Sequence, residues 1–400
     1  EMSQDTCALS EGCDRPVLVC KIAVSEDGEV GNFEFFEATI RSRAKLSYYA
    51  VDRYLTGQDD ELMSHATPLE ALYHLYRALR SRREAQELVM EDRQEFRWIL
   101  NDNKQIESVE PYEKLLSQKL VEECMISANR CAARFLSEHD ATGPFVAHPG
   151  FRPDRLDEAK KFLAMHAPDV AQRDPARLED YRDIMRCLSA PEQALPLRAM
   201  VNRLLTRAEL GNQSAVHMGM ALPSYTNCTS PLRKYVDFLA HLQIKAVLRG
   251  NKPDLVTKEM LDTLSERLAI SRTATQEAER WLAARYLQRL GSKEGATFEA
   301  RITHINSSGF HVRLDANGLG GFVDLRKDPE KFSYDKWTAS LTSTTRRFSL
   351  EQPVELVFKG VDRENRHLAL FQPVPDCGLK PAKTAAEKEA DRSAGAAGEG

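Results

Sequence analysis

The segment Tyr225-Thr226-Asn227-Cys228-Thr229-Ser230-Pro231-Leu232-Arg233-Lys234-Tyr235-Val236-Asp237-Phe238-Leu239-Ala240-His241 brings two adjacent cations to the start of a predicted helix. Thr229 or Ser230 suits the N-cap, because a hydroxyl there accepts an orphan backbone N–H. Pro231 suits the first helical position, where its missing donor costs nothing. Leu232, Tyr235, Val236, Leu239 and Leu242 recur at three- and four-residue steps and predict one buried face. Gly250 is the natural C-terminal stop. Arg233 and Lys234 then fall in the first turn, where the backbone dipole is already positive. Such pairs are most often simply solvated. They gain a use when an anion sits at the helix start, and phosphate is the usual anion. Arg233 is the stronger candidate, since a planar guanidinium holds two phosphate oxygens at once and an ammonium does not.

The elements that must position this segment come from a 400-residue chain, long enough for two or three domains. Hydrophobic residues at 42% and charged residues at 29% are ordinary for a soluble protein. No apolar run reaches the length needed to span a bilayer, and no secretory signal is visible. The formal net charge of −5 is weak evidence against a nucleic-acid partner, because a groove needs only a local basic lining. The eight cysteines include no Cys-x-x-Cys pair and no zinc spacing, which points to free thiols in the cytoplasm; Cys124 and Cys131 read as core residues.

The opening segment resembles the signature of the ribonuclease II and ribonuclease R (RNB) family of 3′-to-5′ exoribonucleases. Three other stretches carry the same resemblance: Ser42-Arg43-Ala44-Lys45-Leu46-Ser47-Tyr48, Val121 to Asn129, and Val146-Ala147-His148-Pro149-Gly150-Phe151. The resemblance implies that Arg233 contacts the scissile phosphate as the catalytic arginine. It implies that Tyr48 stacks on a base near the RNA 3′ end, with Phe151 as the second jaw of that clamp. His217, Tyr225, Thr229, Ser230 and Lys234 would line the RNA path. Met218, Cys228, Val236 and Leu242 depart from the family's usual residues and bear on how tightly the backbone is gripped.

Around these motifs the expected architecture is α+β. Residues 1–290 read as part of an RNB-type catalytic domain, a mixed sheet with surrounding helices. Val17–Val24 and Phe33–Ile40 predict strands joined by a turn at Glu26–Glu29. Pro68–Leu88 predicts a helix with solvated arginines, and Phe96–Leu100 with Gln105–Val109 predicts a hairpin. A long helix is expected from Pro111 to about Glu138, with Glu122, Glu123 and Asn129 on its polar side and Asn129 hydrogen-bonded inside. Two helices are expected from Pro253 to about Leu290. Residues 291–374 carry five short strands with glycine turns, which fit an OB-fold barrel. That stretch also resembles the RNA-binding repeat of a ribosomal small-subunit protein. The resemblance implies Phe310 and Phe322 as stacking rings, with His311, Arg313, Lys327, Arg346 and Arg347 near phosphates. Strand alternation assigns one of the two phenylalanines to the barrel interior instead. Residues 375–400 read as a disordered tail.

The family's magnesium-holding aspartate run has no counterpart here. The only acidic doublet of that kind, Asp59-Asp60, sits in a surface-loop context and receives no metal role. The chain begins without Met, close to a strand, so an upstream segment bearing the carboxylates is expected. Two function classes follow: the C-terminal part of a processive exoribonuclease releasing nucleoside 5′-monophosphates, or a non-catalytic single-stranded-RNA-binding protein of the same fold. Magnesium is expected for the complete enzyme, with its ligands outside this chain. Single-stranded RNA is the expected partner of a cytoplasmic monomer. The coding sequence just upstream of Glu1 discriminates the two classes.

Overall fold

A computed structural model describes residues 5–89, 94–291, 296–364 and 366–378. In chain order the elements are β1 (Asp14–Val24), β2 (Val30–Arg41), α1 (Tyr48–Leu55), α2 (Ala66–Gln86), β3 (Glu95–Leu100), β4 (Ile106–Tyr112) and α3 (Leu116–Glu138). There follow β5 (Phe145–Ala147), α4 (Leu156–His166), α5 (Leu178–Leu188), α6 (Leu197–Val201), β6 (Glu209–Gly211), α7 (Tyr235–Leu248) and α8 (Lys258–Gly291). The remainder is all β: β7 (Thr297–Asn306), β8 (Gly309–Leu314), β9 (Gly320–Asp324), β10 (Ser333–Asp335), β11 (Ser340–Thr342), β12 (Arg347–Ser349), β13 (Pro353–Asp362) and β14 (Leu368–Pro373). The chain divides into two units, residues 1–95 with 113–273, and residues 96–112 with 274–400. The division falls inside α8, which is one helix where two were expected.

The first unit is organised on α3. Ala132, Ala133, Cys131 and Leu136 are fully buried, and the small side chains let neighbours approach closely. The β1–β2 hairpin packs Leu18, Cys20, Ile22 and Phe35 on one side of this cluster, while Ala240 and Ile244 of α7 join it from another. Ser25 to Glu29 makes the hairpin turn, and Gly28 sits at φ +81° there. An added Cβ at Gly28 would meet the Ala78 carbonyl, so the position favours glycine sterically as well as conformationally. The strands of this unit form two separate antiparallel pairs, β1–β2 and β5–β6. This corrects the expected mixed sheet: after β2 the chain turns into helices instead of returning as a further strand.

Helix α3 begins at Leu116 and not at Pro111, because Ile106–Tyr112 is extended and pairs with β3. Its polar side is also not all solvated. Glu123 is 1% exposed and accepts from Arg83 Nη1 at 2.6 Å; Arg80 stands 3.6 Å away. Arg83, read from the sequence as a surface residue, is buried by this pair. Burial raises the pKa of nearby Glu87, against the pull of Arg130 and Arg83. A buried charge persists only when paired, and these helices pair theirs with one another.

In the second unit β3 and β4 form the expected hairpin, and Trp98 meets Tyr286 of α8 edge-on at 6.5 Å between ring centroids. The five expected strands all form. β7 pairs with β8, β8 with β9, β9 in parallel with β14, β14 with β13, and β13 with β7, so the ring closes. Phe310, Val312 and Leu314 alternate inward from β8 and are almost wholly buried. A small sheet, β10–β11–β12, is inserted before β13 and was not foreseen. Its Phe348 lies 4.8 Å from Phe310 and closes that side of the core. The predicted tail falls, from residue 379 onward, outside the described residues.

Candidate functional site

Helix α7 starts at Tyr235, with Lys234 as an N-cap that makes no side-chain bond. Neither Thr229 nor Ser230 caps it, which corrects the sequence expectation. Residues 231–233 form a turn instead, and Ser230 is reached from inside the helix: Asp237 Oδ2 accepts the Ser230 N–H at 2.8 Å. A carboxylate in the first turn complements the dipole and replaces the hydroxyl cap. Leu232 and Tyr235 are 49% and 55% exposed and so leave the expected buried face, which consists of Val236, Leu239, Ala240 and Ile244 with the polar Asp237 and Gln243.

Arg233 and Lys234 therefore stand on an exposed turn ahead of the helix. Among the described residues neither makes an ion pair or a side-chain hydrogen bond. Tyr235 and Phe238, one helical turn apart with ring centroids 5.9 Å from each other, are exposed beside them. Sequence reasoning missed this aromatic pair because a three-residue step is also the signature of a buried stripe. The arrangement offers two unneutralised cations next to accessible rings, a composition that suits a phosphate with a base attached.

Beneath this turn lie residues that the sequence marked as RNA contacts. Tyr225 is 8% exposed, and its hydroxyl accepts from Asn129 Nδ2 at 2.9 Å. The expectation that Asn129 is hydrogen-bonded inside is met. His217 is 9% exposed, with its ring 5.5 Å from His148 and 5.7 Å from Tyr225. Its backbone N–H and carbonyl both bond to Leu222. Burial, with His148 a smaller contributor, pushes the His217 pKa down to about 4, so the ring is neutral near pH 7. His217 and Tyr225 are buried and not a surface for RNA, which corrects their assignment. Burial likewise holds the Cys228 thiol up at about 12, so this cysteine is no nucleophile.

The two proposed jaws differ. Tyr48 is 47% exposed at the start of α1, where Ser47 caps the helix by accepting from Ala50 N–H, and Ser117 Oγ donates to the Tyr48 carbonyl at 2.8 Å. Phe151 is 5% exposed and packs edge-on against Tyr181 at 5.7 Å. It is a core residue here, which corrects its role as an open jaw; no ring contact joins it to Tyr48 among the described residues.

In the second unit Phe310 is fully buried inside the closed ring and stacks on no base, which settles the alternation in favour of the interior for that residue. Phe322 pairs across strands with the half-buried His311, rings 4.8 Å apart, but is itself only 9% exposed, so it is a packed ring and not an open stacking surface, which corrects its assignment; His304 continues the row at 5.9 Å from His311. Arg346 is tied to Asp328 and, at 3.0 Å, to Glu330, so it braces the inserted sheet and is not free for phosphate. Arg313, Lys327 and Arg347 are at least partly exposed.

The residues present do not fit a magnesium site. Among the described residues no group of three or more His, Cys, Asp or Glu side chains is gathered to hold a metal, and Asp59 is engaged by Arg53 at 2.7 Å. No helix among them is long and apolar enough to cross a membrane.

Comparison with known proteins places this geometry. A family model described as RNB domain matches residues 1–250. Exoribonuclease 2 of Yersinia enterocolitica is 32% identical over 328 residues, 81% of this chain and 50% of that protein. The chain thus spans about half the length of the curated relatives it matches. Among solved structures, Mycoplasma genitalium RNase R in complex with ribose-methylated single-stranded RNA superposes with a TM-score of 0.79 at 18% identity, covering 93% of this chain and 60% of that one. Yeast Ssd1, a pseudonuclease, superposes with a TM-score of 0.62 at 16% identity, covering 84% and 42%.

Proposed function

The chain belongs to the RNB family, and on that premise we propose that it is the RNA-gripping part of a 3′-to-5′ exoribonuclease acting on single-stranded RNA. The observation that carries this reading is the exposed, unpaired Arg233-Lys234 turn, set in the family's signature and held from below by buried side chains. In this reading Arg233 grips the scissile phosphate, Lys234 adds charge, and Tyr48 stacks on a base near the 3′ end. The second unit is proposed to be an OB-fold RNA-binding domain. Its ring order, first strand to second to third to fifth to fourth with the third and fifth parallel, supports this, and the half-buried His311 offers a ring at the surface. RNB exoribonucleases generally depend on a divalent metal. When bound, such a metal activates water and stabilises the leaving oxygen. Its carboxylate ligands would come from outside the described residues. The protein is proposed to be a cytoplasmic monomer yielding nucleoside 5′-monophosphates processively.

A titration of this chain with single-stranded RNA at several salt concentrations tests the reading. Binding should weaken on a log–log plot with a slope of about 0.7 per phosphate contacted. The chain alone should release no mononucleotides in magnesium. Failure to bind removes the function. Magnesium-dependent mononucleotide release by the pure chain would show that its own residues suffice for cleavage.

A further inference from the structure

Cys228–Lys234 has no regular structure of its own, yet three side chains on two helices grip its backbone. Asn129 Oδ1, on α3, accepts the Cys228 N–H at 2.8 Å. His241 Nε2, on α7, lies 2.7 Å from the Cys228 carbonyl oxygen. A carbonyl only accepts, so that nitrogen carries the proton of the pair. Asp237 Oδ2 accepts the Ser230 N–H at 2.8 Å. The Ser230 carbonyl then accepts the N–H groups of Arg233 at 3.2 Å and Lys234 at 3.0 Å. Hydrogen bonds thus run without a break from the interior to the backbone of Arg233.

The burial of these groups says what they are for. Asp237 is 1% exposed and Asn129 is 4% exposed, so neither touches RNA. A carboxylate or carboxamide is costly to bury unless it is hydrogen-bonded. Here Asp237 spends its one bonded oxygen on the loop, and Asn129 divides its amide between the loop and Tyr225. The same helix turns Asp237 inward, and among the described residues no side chain bonds the Arg233 guanidinium. Its direction is set by backbone alone.

We propose that Asn129, Asp237 and His241 are positioning residues that fix the Cys228–Lys234 backbone so that Arg233 meets one particular phosphate of a bound RNA strand. This rests on the reading of Arg233 as a phosphate contact. Without the anchor, Arg233 keeps its charge and exposure and is still drawn to the strand. Overall affinity therefore changes little, and what is lost is the choice of phosphate.

A methylphosphonate scan reads that choice. The whole chain is titrated with 2′-O-methyl oligonucleotides carrying one neutral linkage at each position in turn, counted from the 3′ end. In the wild type one position should weaken binding by about tenfold, the scale of one charge-assisted contact, and Arg233→Ala should erase that peak. Asp237→Leu should flatten the scan while affinity for the unmodified strand stays within about threefold, because the other backbone contacts remain. Asp237→Asn keeps an acceptor for Ser230 and should restore the peak. His241→Phe, which removes only the Cys228 carbonyl contact, should blunt it and serves if Asp237→Leu does not fold. A purely structural role would lower the melting temperature and leave the peak in place; a folded Asp237→Leu or His241→Phe with the wild-type scan overturns the proposal. A wild type that binds with a flat scan also overturns it. A wild type that binds no RNA overturns the functional reading, and this inference with it.

Discussion

His217 shows how burial sets the chemistry of one side chain. Its pKa of about 4 lies below the ordinary histidine value of 6.5, so the unfolded chain binds protons that the folded chain does not as pH falls between these values. Stability contributed by the neutral ring is therefore present above about pH 6.5, declines as pH drops towards 4, and changes no further below that. The expected loss is on the order of 3 kcal/mol. Urea unfolding at pH 7 and pH 4.5, for wild type and His217→Phe, measures it. The difference between the two proteins is the informative quantity, since Glu87, whose pKa is raised, contributes with the opposite sign. A variant with the same pH slope as wild type would remove His217 from the account. Arg233 calls for a different measurement. In a preparation that cleaves RNA, Arg233→Lys should lower the single-turnover rate far more than affinity, and Arg233→Ala should lower the rate by about a hundredfold. Many backbone contacts share ground-state binding, whereas charge accumulates in the transition state on the oxygens of one phosphate. Equal losses of rate and affinity would make Arg233 one backbone contact among many.

Among the elements, α3 carries most of the argument. It buries Glu123 against Arg83 of α2 and spends Asn129 on the loop, while its alanines admit the hairpin and α7. Arg83→Met removes the closer of Glu123's two cations, leaving only Arg80 at 3.6 Å, and should cost about 3 kcal/mol by denaturant titration, whereas the double variant Arg83→Met/Glu123→Leu should recover most of that loss. If the double variant is the weaker of the two, the pair stabilises more than its desolvation costs. The sequence could not announce this pair. Arginine and glutamate at helical spacing look solvated unless the partner helix is known, and partners 40 residues apart leave no local trace. The hairpins β1–β2 and β3–β4 were legible because alternation and turn residues are local signals. The start of α7 was not, since Asp237 acts on Ser230 from seven residues downstream and displaces the hydroxyl cap that local rules favour.

At the scale of the whole chain, the signature words located the exposed cations, and the alternation of β7, β8 and β9 located the barrel core. The inward placement of Asn129 was legible, but its bond to the Cys228 N–H, the inward turn of Asp237 and the burial of His217 needed three dimensions, because each depends on which elements pack together. The closed ring of the second unit has one more consequence. Among the described residues β14 is the last strand and the only link between β9 and β13, and it is joined to β9 by a short parallel contact at Leu370–Phe322 and Phe371–Val323. A ring has no free margins, but one missing its last strand has two. Each would offer unpaired N–H and C=O groups along β9 and β13, a template for pairing with another molecule. A stop codon placed before Leu368 should therefore be felt first as insolubility. Light scattering of the purified chain should rise with concentration, where the intact chain's stays flat. A truncated protein that stays clear and monodisperse would mean that another segment seals the gap. By closing the ring, the six-residue β14 is expected to keep the second unit from polymerising.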